Sequence, residues 1–313
     1  MSATRKPLVE IHAVDQIFRA GFWLKPVQVL HHVQIQVPEK SVFGFLGANG
    51  AGKTTLIQLL VGLRAPTRGT VKVGGHLATT AKARRKIGYL PERPYFYDHL
   101  TGEDFLKYFG TLSGMTRNQL LDRIPTVLST VGMTAAKNVE LRRYSKGMLQ
   151  RIGIAQAILH EPELLVLDEP MSGLDPIGRK EIRELILSLS QEGRTVFFSS
   201  HVIPDVEAIC DEVALIDQGR ILQSGPIGGL LSKGPIQTEI AFSGVTAANA
   251  KKIEELMRIQ EMPDGIRAIV TSQVSANDAL SSLIKKGARI LWVSPIRPSL
   301  EDFFKSTKEG GSA

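Results

Sequence analysis

Residues 47–54 read Gly47-Ala48-Asn49-Gly50-Ala51-Gly52-Lys53-Thr54, which matches the pattern Gly-x4-Gly-Lys-Thr. Glycines in such a loop let the backbone come close to phosphate oxygens and point its N–H groups at them. An apolar run, Ser41–Leu46, precedes the loop, and a helical pattern, Thr54–Leu63, follows it. The order strand, loop, helix favours a phosphate-binding loop at the positive end of a helix over a structural glycine-rich turn.

The chemistry of this loop predicts ATP and Mg²⁺ as its ligands. Lys53 is expected to reach the β- and γ-phosphates, where its charge also assists catalysis, and the Thr54 hydroxyl is expected to ligate Mg²⁺. The residues of this segment predicted to contact ATP are Gly47, Ala48, Asn49, Gly50, Ala51, Gly52, Lys53, Thr54 and Thr55.

A second apolar run ends in two acids, Asp168 and Glu169, directly after Leu164–Leu167. A strand that is covered on both faces delivers its terminal residues to the edge of the sheet where ligands bind. Asp168 is suited to hold Mg²⁺, and Glu169 to polarise the attacking water. Two acids alone could equally cap a helix or form a surface pair. Beside the phosphate-binding loop they are predicted to complete one site.

Outside these motifs, β-branched runs alternate with helical stretches over the first two-thirds of the chain, which predicts an α/β fold. The predicted strands are Ser41–Leu46, Thr70–Val73, Ile87–Leu90, Leu164–Asp168, Thr195–Ser200 and Val213–Ile216. Gly74-Gly75 and Gln218-Gly219 resemble hairpin turns, so antiparallel strands are expected within a mainly parallel, mixed sheet.

Between about residues 100 and 160 the pattern becomes helical. Thr101 and Thr116 are candidate N-caps, and a third helix is expected after Ser145, ending near His160. Pro125 is expected to kink or break the second helix because proline has no N–H to donate. An all-helical subdomain is therefore predicted inside the α/β domain.

The chain is predicted to divide into an ATPase domain, residues 1–223, and an α+β accessory domain, residues 224–313. Ser224–Gly234 is rich in glycine and serine and is interpreted as a linker. The elements predicted beyond it are strand Gln237–Phe242, helix Ala247–Ile259, strand Ile266–Thr271, helix Ala276–Lys286, strand Arg289–Val293 and helix Ser299–Lys305. This part carries no glycine-rich loop and no His or Cys cluster, which indicates an accessory or regulatory role.

Composition excludes several classes of protein. The 313 residues contain one cysteine, Cys210, so neither an intramolecular disulfide nor a cysteine zinc cluster forms. No apolar run approaches the ~18–20 residues that span a bilayer, so any membrane-spanning part is expected to be another chain. Arg5 and Lys6 are not followed by an apolar stretch, so no secretory signal is predicted.

The net charge of +7 is compatible with nucleic acid, anionic lipid or a nucleotide. The densest basic cluster, Lys82–Lys86, contains no aromatic residue on which a base could stack. A scattered, solvated surface is the preferred interpretation, and no nucleic-acid partner is expected.

Together with four further segments, these motifs resemble the ATPase subunit of ABC transporters over about residues 8–222. Tyr144-Ser145-Lys146-Gly147-Met148 is similar to the signature loop of that family, and Ser172-Gly173-Leu174-Asp175 to its D-loop. His201, after strand Thr195–Ser200, is similar to its switch histidine, and Ile87–Glu92 to its Q-loop. The resemblance implies the ABC-ATPase variant of the P-loop NTPase fold.

The resemblance also implies where ATP is held and by which residues. In the family, each ATP lies between two subunits, so Ser145, Gly147 and Asp175 are expected to contact the nucleotide bound by the opposite subunit. His201 is expected to contact the γ-phosphate and the attacking water. The second subunit is expected to be another copy of this chain rather than a different ATPase.

Three features depart from the family pattern or leave alternatives open, and the first is the signature, which reads Tyr-Ser-Lys-Gly-Met where Leu-Ser-Gly-Gly-Gln is commoner. Glu92 stands where the family usually has Gln; its carboxylate can still ligate Mg²⁺, but its charge would change how the loop responds to nucleotide. The aromatic residue that stacks on adenine normally lies upstream of the first strand. Here Phe18, Phe22 and Trp23 compete for that role, and Phe18 has the best spacing.

The signature Tyr-Ser-Lys-Gly-Met resembles that of bacterial exporters whose membrane subunit is a separate chain, and the ending Arg297–Phe304 is similar to that of many export-type subunits. The implied place is the cytoplasmic face of the bacterial inner membrane. A soluble ABC-type ATPase acting on nucleic acid or ribosomes is the alternative.

Pro94–Leu100, with three aromatic residues, could bind the membrane subunit or fill the core.

Overall fold

A computed structural model describes residues 6–21, 24–231, 237–270, 273–296 and 300. The chain divides into two compact units, Met1–Ile227 and Gly228–Ala313. The first unit contains both of the main sequence motifs, the phosphate-binding loop and the acid pair.

The first unit is an α/β structure. Its strands are β1 (Pro7–Ala20), β2 (Lys25–Pro38), β3 (Val42–Leu46), β4 (Arg68–Val73), β5 (His76–Leu77), β6 (Ile87–Leu90), β7 (Leu164–Leu167), β8 (Thr195–Ser200), β9 (Glu212–Asp217) and β10 (Arg220–Pro226). Its helices are α1 (Lys53–Leu60), α2 (Ala81–Arg84), α3 (Gly102–Leu112), α4 (Arg117–Thr130), α5 (Lys146–Ile158), α6 (Pro176–Gln191) and α7 (Ile203–Ile209). Helix α8 (Ile227–Leu231) begins at the division between the units.

Two sheets carry this unit. The larger has the strand order β10-β9-β3-β8-β7-β6, and only the β9–β10 pair in it is antiparallel. The smaller sheet, β2-β1-β4-β5, is antiparallel. The mixed, mainly parallel sheet and the hairpins at Gly74-Gly75 and Gln218-Gly219 are therefore confirmed.

The parallel strands place the sequence motifs at one edge of the larger sheet. Strand β3 leads into Gly47, its neighbour β8 into His201, and the next strand, β7, into Asp168. Strands β3 and β7 are buried at every position, as expected of strands that are covered on both faces. Carboxyl ends of adjacent parallel strands meet at one edge, so these motifs form a single site.

Strands β1 and β2 were not among the predicted strands, although each is 14 residues long. Residues 33–37 of β2 alternate between buried and exposed, as expected of a strand with one face in solvent. Strand β1 carries register shifts near Val14, which interrupt the alternation that would have identified it.

The helical subdomain is confirmed, with α3, α4 and α5 inside the range predicted. Thr101, Thr116 and Ser145 are N-caps whose hydroxyls accept backbone N–H bonds, and Thr116 forms a full capping box with Gln119. Of the two outcomes predicted at Pro125, the break was wrong, because α4 continues through it, and the kink stays a prediction. The flanking positions Ile124 and Leu128 are buried, and this packing offsets the missing hydrogen bond.

His160 gives the first unit a predicted pH dependence. Its Nε2 lies 3.1 Å from the Ile87 carbonyl oxygen, and burial lowers the pKa of the imidazole below its ordinary value. The unfolded chain therefore binds more protons than the folded chain between that lowered pKa and about 6.5. We expect the urea midpoint to fall as pH decreases through this window, and to fall less in His160→Gln. The exposed His12→Gln is the control; equal falls in all three proteins would contradict the assignment.

The second unit, taken by itself, is a four-stranded antiparallel sheet with helices. Its elements are β11 (Gln237–Ser243), α9 (Ala247–Ala250), β12 (Met257–Met262), β13 (Gly265–Val270), α10 (Gln273–Lys285) and β14 (Arg289–Ile296). The strand order is β12-β13-β11-β14. The α+β character is confirmed, and the three predicted strands and helix Ala276–Lys286 appear with shifted ends.

Three predictions for this region need correction or lie outside the structure. Helix Ala247–Ile259 was wrong, because α9 ends at Ala250 and the chain then forms strand β12 against β13. The prediction that Ser224–Gly234 is a linker was wrong for its first part, because β10 extends to Pro226 and α8 follows directly. Helix Ser299–Lys305 lies outside the described residues except for Leu300.

Within the described residues, every helix is too short or too polar to cross a bilayer.

Candidate functional site

The loop at residues 47–54 requires glycine at two positions for steric reasons. A side chain at Gly47 would begin 2.5 Å from the Ile216 carbonyl oxygen, and Gly52 has φ +108° at the N-cap of α1. No side chain caps this helix, and its first three residues, Lys53, Thr54 and Thr55, line the cleft. This backbone arrangement is suited to an anion.

Lys53 lines the cleft and is 6% exposed. Its Nζ donates to the Gly47 carbonyl at 2.7 Å and makes an ion pair with Glu169 Oε1 at 3.1 Å. The other carboxylate oxygen, Glu169 Oε2, lies 2.9 Å from His201 Nδ1. Glu169 therefore contacts both the lysine of the loop and the histidine that follows β8.

Glu169 has an unusual backbone conformation, with φ +51°. Its N–H donates to the Ser199 hydroxyl at 2.8 Å, which holds the strained turn after β7 in place. Ser199 Oγ in turn donates to Asp168 Oδ1 at 2.6 Å. Ser199 was not predicted as a site residue; the run Ser199-Ser200-His201 at the end of a strand was the available signal.

Asp168 provides a test of whether a metal fits this site. Its carboxylate is 1% exposed, and Oδ2 accepts no hydrogen bond from the described residues. Burial raises the pKa of Asp168, and the charges of Glu92 and Glu169 act in the same direction, against the hydrogen bonds with Ser199 and Thr54. A buried oxygen without a partner in a field of negative charge fits a divalent cation.

The donors around Asp168 suit Mg²⁺ and not a metal held by protein alone. Among the described residues, no group of three His, Cys, Asp or Glu side chains has metal-binding geometry. Mg²⁺ is characteristically held by one or two carboxylates together with substrate phosphates. Thr54 and Glu92 also carry side-chain oxygens and line the same cleft.

The cleft has a volume of about 390 Å³. The predicted residues that line it are Asn49, Gly50, Gly52, Lys53, Thr54, Thr55, Glu92, Glu169 and His201. Val29, on β2, and Ser172 line it as well. Val29 was missed because β2 was not predicted as a strand.

Phe18, the residue predicted to stack on adenine, lies within strand β1 and is not part of the cleft lining. The Arg64 guanidinium sits over its ring, 5.4 Å from the centroid. Phe22 and Trp23 lie outside the described residues. Adenine stacking on Phe18 stays a prediction, and it requires Arg64 to leave this face or the base to use the other.

Ser145, Gly147 and Asp175 lie elsewhere in the same unit. They line a separate cleft of about 400 Å³, in which the start of α5 faces the start of α6. Ser145 Oγ accepts from the Met148 N–H, and Asp175 Oδ1 accepts from the Gly178 N–H at 2.9 Å. No residue lining this second cleft lines the first.

A phosphate-binding loop, an acid pair and a histidine at adjacent strand ends define a nucleotide-hydrolysing P-loop domain, and the comparisons identify its kind. A family model described as ABC transporter matches residues 30–172. An uncharacterised ABC transporter ATP-binding protein of Synechocystis is 40% identical over 97% of this chain and 87% of its own length. The chain belongs to the family of ABC transporter ATP-binding subunits, whose domain implies ATP binding and ATPase activity.

Two further likenesses extend this comparison. The bacitracin transport ATP-binding protein of Bacillus licheniformis is 36% identical over 90% of this chain and 92% of its own length. A dimeric bacterial ABC transporter cassette of known structure has the same fold, with a TM-score of 0.64 at 21% identity over 70% of this chain and 98% of the cassette.

Proposed function

We propose that the chain is the motor subunit of an ABC exporter, which closes with a second copy around ATP and thereby drives a separate membrane-spanning subunit. In this proposal two chains hold each ATP between the cleft of Lys53 in one and the cleft of Ser145 in the other. The proposed location is the cytoplasmic face of the bacterial inner membrane, where the chain is held by its membrane partner.

The observation that carries this proposal is the separation of the two clefts. Ser145 offers a hydroxyl and a helix N-terminus suited to phosphate, yet it lies in a cleft that shares no residue with the one around Lys53. Within one chain, the residues of the two halves line two different clefts. A second copy related by two-fold symmetry would join each half to its counterpart, and both sites would be equivalent.

Within each composite site, the residues of this chain have distinct proposed roles. Lys53 and the N–H groups of α1 bind and orient the phosphates. Glu169 accepts a proton from the attacking water, and His201, hydrogen-bonded to Glu169, holds that carboxylate and senses the γ-phosphate. Mg²⁺ held by Thr54, Asp168 and Glu92 would neutralise charge on the phosphates.

Two observations favour export over import: the Tyr-Ser-Lys-Gly-Met signature and the similarity to a bacitracin transport protein. The bacitracin transport protein is named for an antibiotic, which suits an exporter. This chain is similar to that protein over 90% of its length, so the second unit belongs to the shared architecture. We propose an accessory role for the second unit.

An aromatic surface in the helical subdomain is the proposed contact for the membrane subunit. Tyr95 is 80% exposed, its ring packs edge-on against Tyr97 at 5.7 Å, and Tyr97 packs against Tyr108 at 5.3 Å. Phe96, in contrast, packs against the buried Phe105. The segment therefore supports both interpretations. Phe96 packs against the core residue Phe105, and Tyr95, Tyr97 and Tyr108 form a surface with aromatic anchors of the kind that interfaces use.

The experiment is an affinity purification from detergent-solubilised membranes of the host. Tagged Glu169→Gln protein with ATP and Mg²⁺ is expected to retain a multi-span membrane protein in stoichiometric amount. Adding Tyr95→Ser is expected to reduce that amount at least several-fold, because the exposed ring is lost while the Phe96–Phe105 packing remains. The matched control is Leu112→Ser, an exposed apolar residue at the end of α3.

Two outcomes would contradict the proposal. Recovery of ribosomal or nucleic-acid components in place of a membrane protein would support the alternative, a soluble ABC-type ATPase. Equal retention by the Tyr95→Ser and Leu112→Ser variants would remove the aromatic surface from the proposed interface.

A further inference from the structure

Asp205 is a buried carboxylate in the first turn of α7, with 3% of its side chain exposed. Its Oδ1 accepts a hydrogen bond from Arg183 Nη1 at 3.0 Å. Its Oδ2 lies 3.7 Å from Arg179 Nη1 and accepts no hydrogen bond from the part of the chain that the structure describes. The Asp205 carboxylate thus faces two guanidinium groups and is hydrogen-bonded to that of Arg183 only.

The two arginines come from one face of α6, because they are four residues apart on that helix. Helix α6 begins at Pro176, directly after the D-loop, Ser172–Asp175. Asp205 follows His201 by four residues on the segment that leads into α7. The Asp205–arginine cluster therefore joins the helix that starts at the D-loop to the helix that starts at the histidine.

A small cavity shows how close this cluster lies to the reacting groups. It has a volume of about 10 Å³ and is lined by Glu169, Ser172, Arg179, Ser199, His201 and Asp205. Arg179 and Asp205 form part of its wall together with the histidine and the acid that contact each other at 2.9 Å. Arg179 of α6 and His201 therefore line the same cavity, so a displacement of α6 would reach His201 through packed side chains.

The free-energy cost of burying Asp205 indicates that this cluster does more than stabilise the fold. A buried carboxylate with one oxygen left unbonded costs free energy relative to an apolar side chain of the same size. The Asp205–Arg183 contact recovers part of that cost, and the Arg179 contact is too long to recover the rest. A movement of α6 by less than about 1 Å would bring Arg179 within hydrogen-bond distance of Oδ2 and would give the cluster a second arrangement.

We propose that Asp205 is a positioning residue that couples the D-loop to His201. It binds α6 through Arg183 and Arg179 and thereby keeps the histidine in contact with Glu169. The inference rests on the proposed ATP-sandwich dimer, in which the D-loop lies at the contact between the two chains. Closure of the dimer displaces the D-loop, α6 follows, and Asp205 transmits the displacement to the histidine segment. Hydrolysis is thereby linked to closure through a group that does not line the phosphate cleft.

The test compares steady-state ATP hydrolysis in Asp205→Asn and wild-type full-length protein. The amide keeps the shape of the side chain and loses its charge. We expect kcat to fall on the order of tenfold, as for a misplaced catalytic group, with the KM for ATP within about twofold of wild type. The control is Glu184→Gln, which removes the exposed Lys180–Glu184 pair on the same helix α6 and is expected to leave kcat unchanged.

A double-mutant cycle separates coupling from general destabilisation. Arg183→Gln is expected to lower kcat, and the Asp205→Asn/Arg183→Gln double variant to lose no more than Asp205→Asn alone, because both changes remove one contact. If Asp205→Asn does not fold, Arg183→Gln carries the same test against Glu184→Gln. A kcat within twofold of wild type, a rise in KM that accounts for the whole loss, or additive losses in the double variant would overturn the proposal.

Dimerisation distinguishes failure of this inference from failure of the proposed function. In the Glu169→Gln background, Asp205→Asn is expected to leave ATP-dependent dimerisation intact, since Asp205 acts after closure. A Glu169→Gln protein that stays monomeric with ATP, with Asp205 unchanged, would refute the sandwich itself. A normal dimer with normal kcat in Asp205→Asn would refute only the coupling.

Discussion

Glu169→Gln is expected to lower ATP turnover by on the order of 10²- to 10⁴-fold, the contribution of a positioned general base. The amide cannot accept the proton of the attacking water. ATP affinity is expected to persist or rise, because Lys53 Nζ, which pairs with Glu169 Oε1 at 3.1 Å, is released for the phosphates. Loss of turnover with retained binding is therefore the expected signature.

Measurement of phosphate release and of equilibrium ATP binding on the same preparation checks this signature. The matched control is Glu163→Gln, a carboxylate at the opposite end of β7 that pairs with Lys86 outside the cleft. We expect the control to hydrolyse ATP at close to the wild-type rate. Near wild-type hydrolysis by Glu169→Gln would show that another group accepts the proton.

Lys53→Ala is expected to have the second-largest effect, a rate loss of at least ~10²-fold, comparable with the loss of one preorganised electrostatic stabiliser. Lys53 is held at the floor of the cleft by the Gly47 carbonyl, and its ammonium is buried, so water screens it little. Unlike Glu169→Gln, this change is expected to weaken ATP binding as well, because it removes a phosphate contact and leaves Glu169 unpaired beside the phosphates.

Titration with a fluorescent ATP analogue, together with hydrolysis at saturating ATP, separates the two effects of Lys53→Ala. Lys82→Ala, an exposed lysine in α2, is the control for loss of one positive charge. Wild-type affinity in Lys53→Ala would contradict the role assigned to the ammonium. An equal loss in Lys82→Ala would point to overall charge as the cause.

The placement of the chemical groups was largely predictable from sequence. Gly47, Asp168 and His201 each follow an apolar run that is buried on both faces. Such runs form neighbouring parallel strands, and their carboxyl ends meet at one edge whatever the strand order. The hydroxyl caps Thr101, Thr116 and Ser145 were predictable for a similar reason, because a cap depends on residues within one turn.

Features that depend on long-range packing were not predictable. The ion pair between Lys53 and Glu169 joins residues more than a hundred positions apart and requires β3 and β7 to flank β8. The alanine-rich segment from Ala247 favours helix locally, yet Ile253 and Leu256 are buried in the core of the second unit and the chain then pairs with β13. Tertiary contacts outweighed local propensity there.

The central claim is that each active site is assembled from two chains, and a mixing experiment tests it directly. Lys53→Ala removes one half of the site and Ser145→Ala the other, so each variant alone is expected to be nearly inactive. A mixed dimer has one site with both defects and one site with none. An equimolar mixture is therefore expected to recover turnover well above the sum of the separate variants, up to about a quarter of the wild-type rate for random pairing of symmetric subunits. A mixture no more active than its components would show that each chain uses its own Ser145 or none, and the account of a shared site would be wrong.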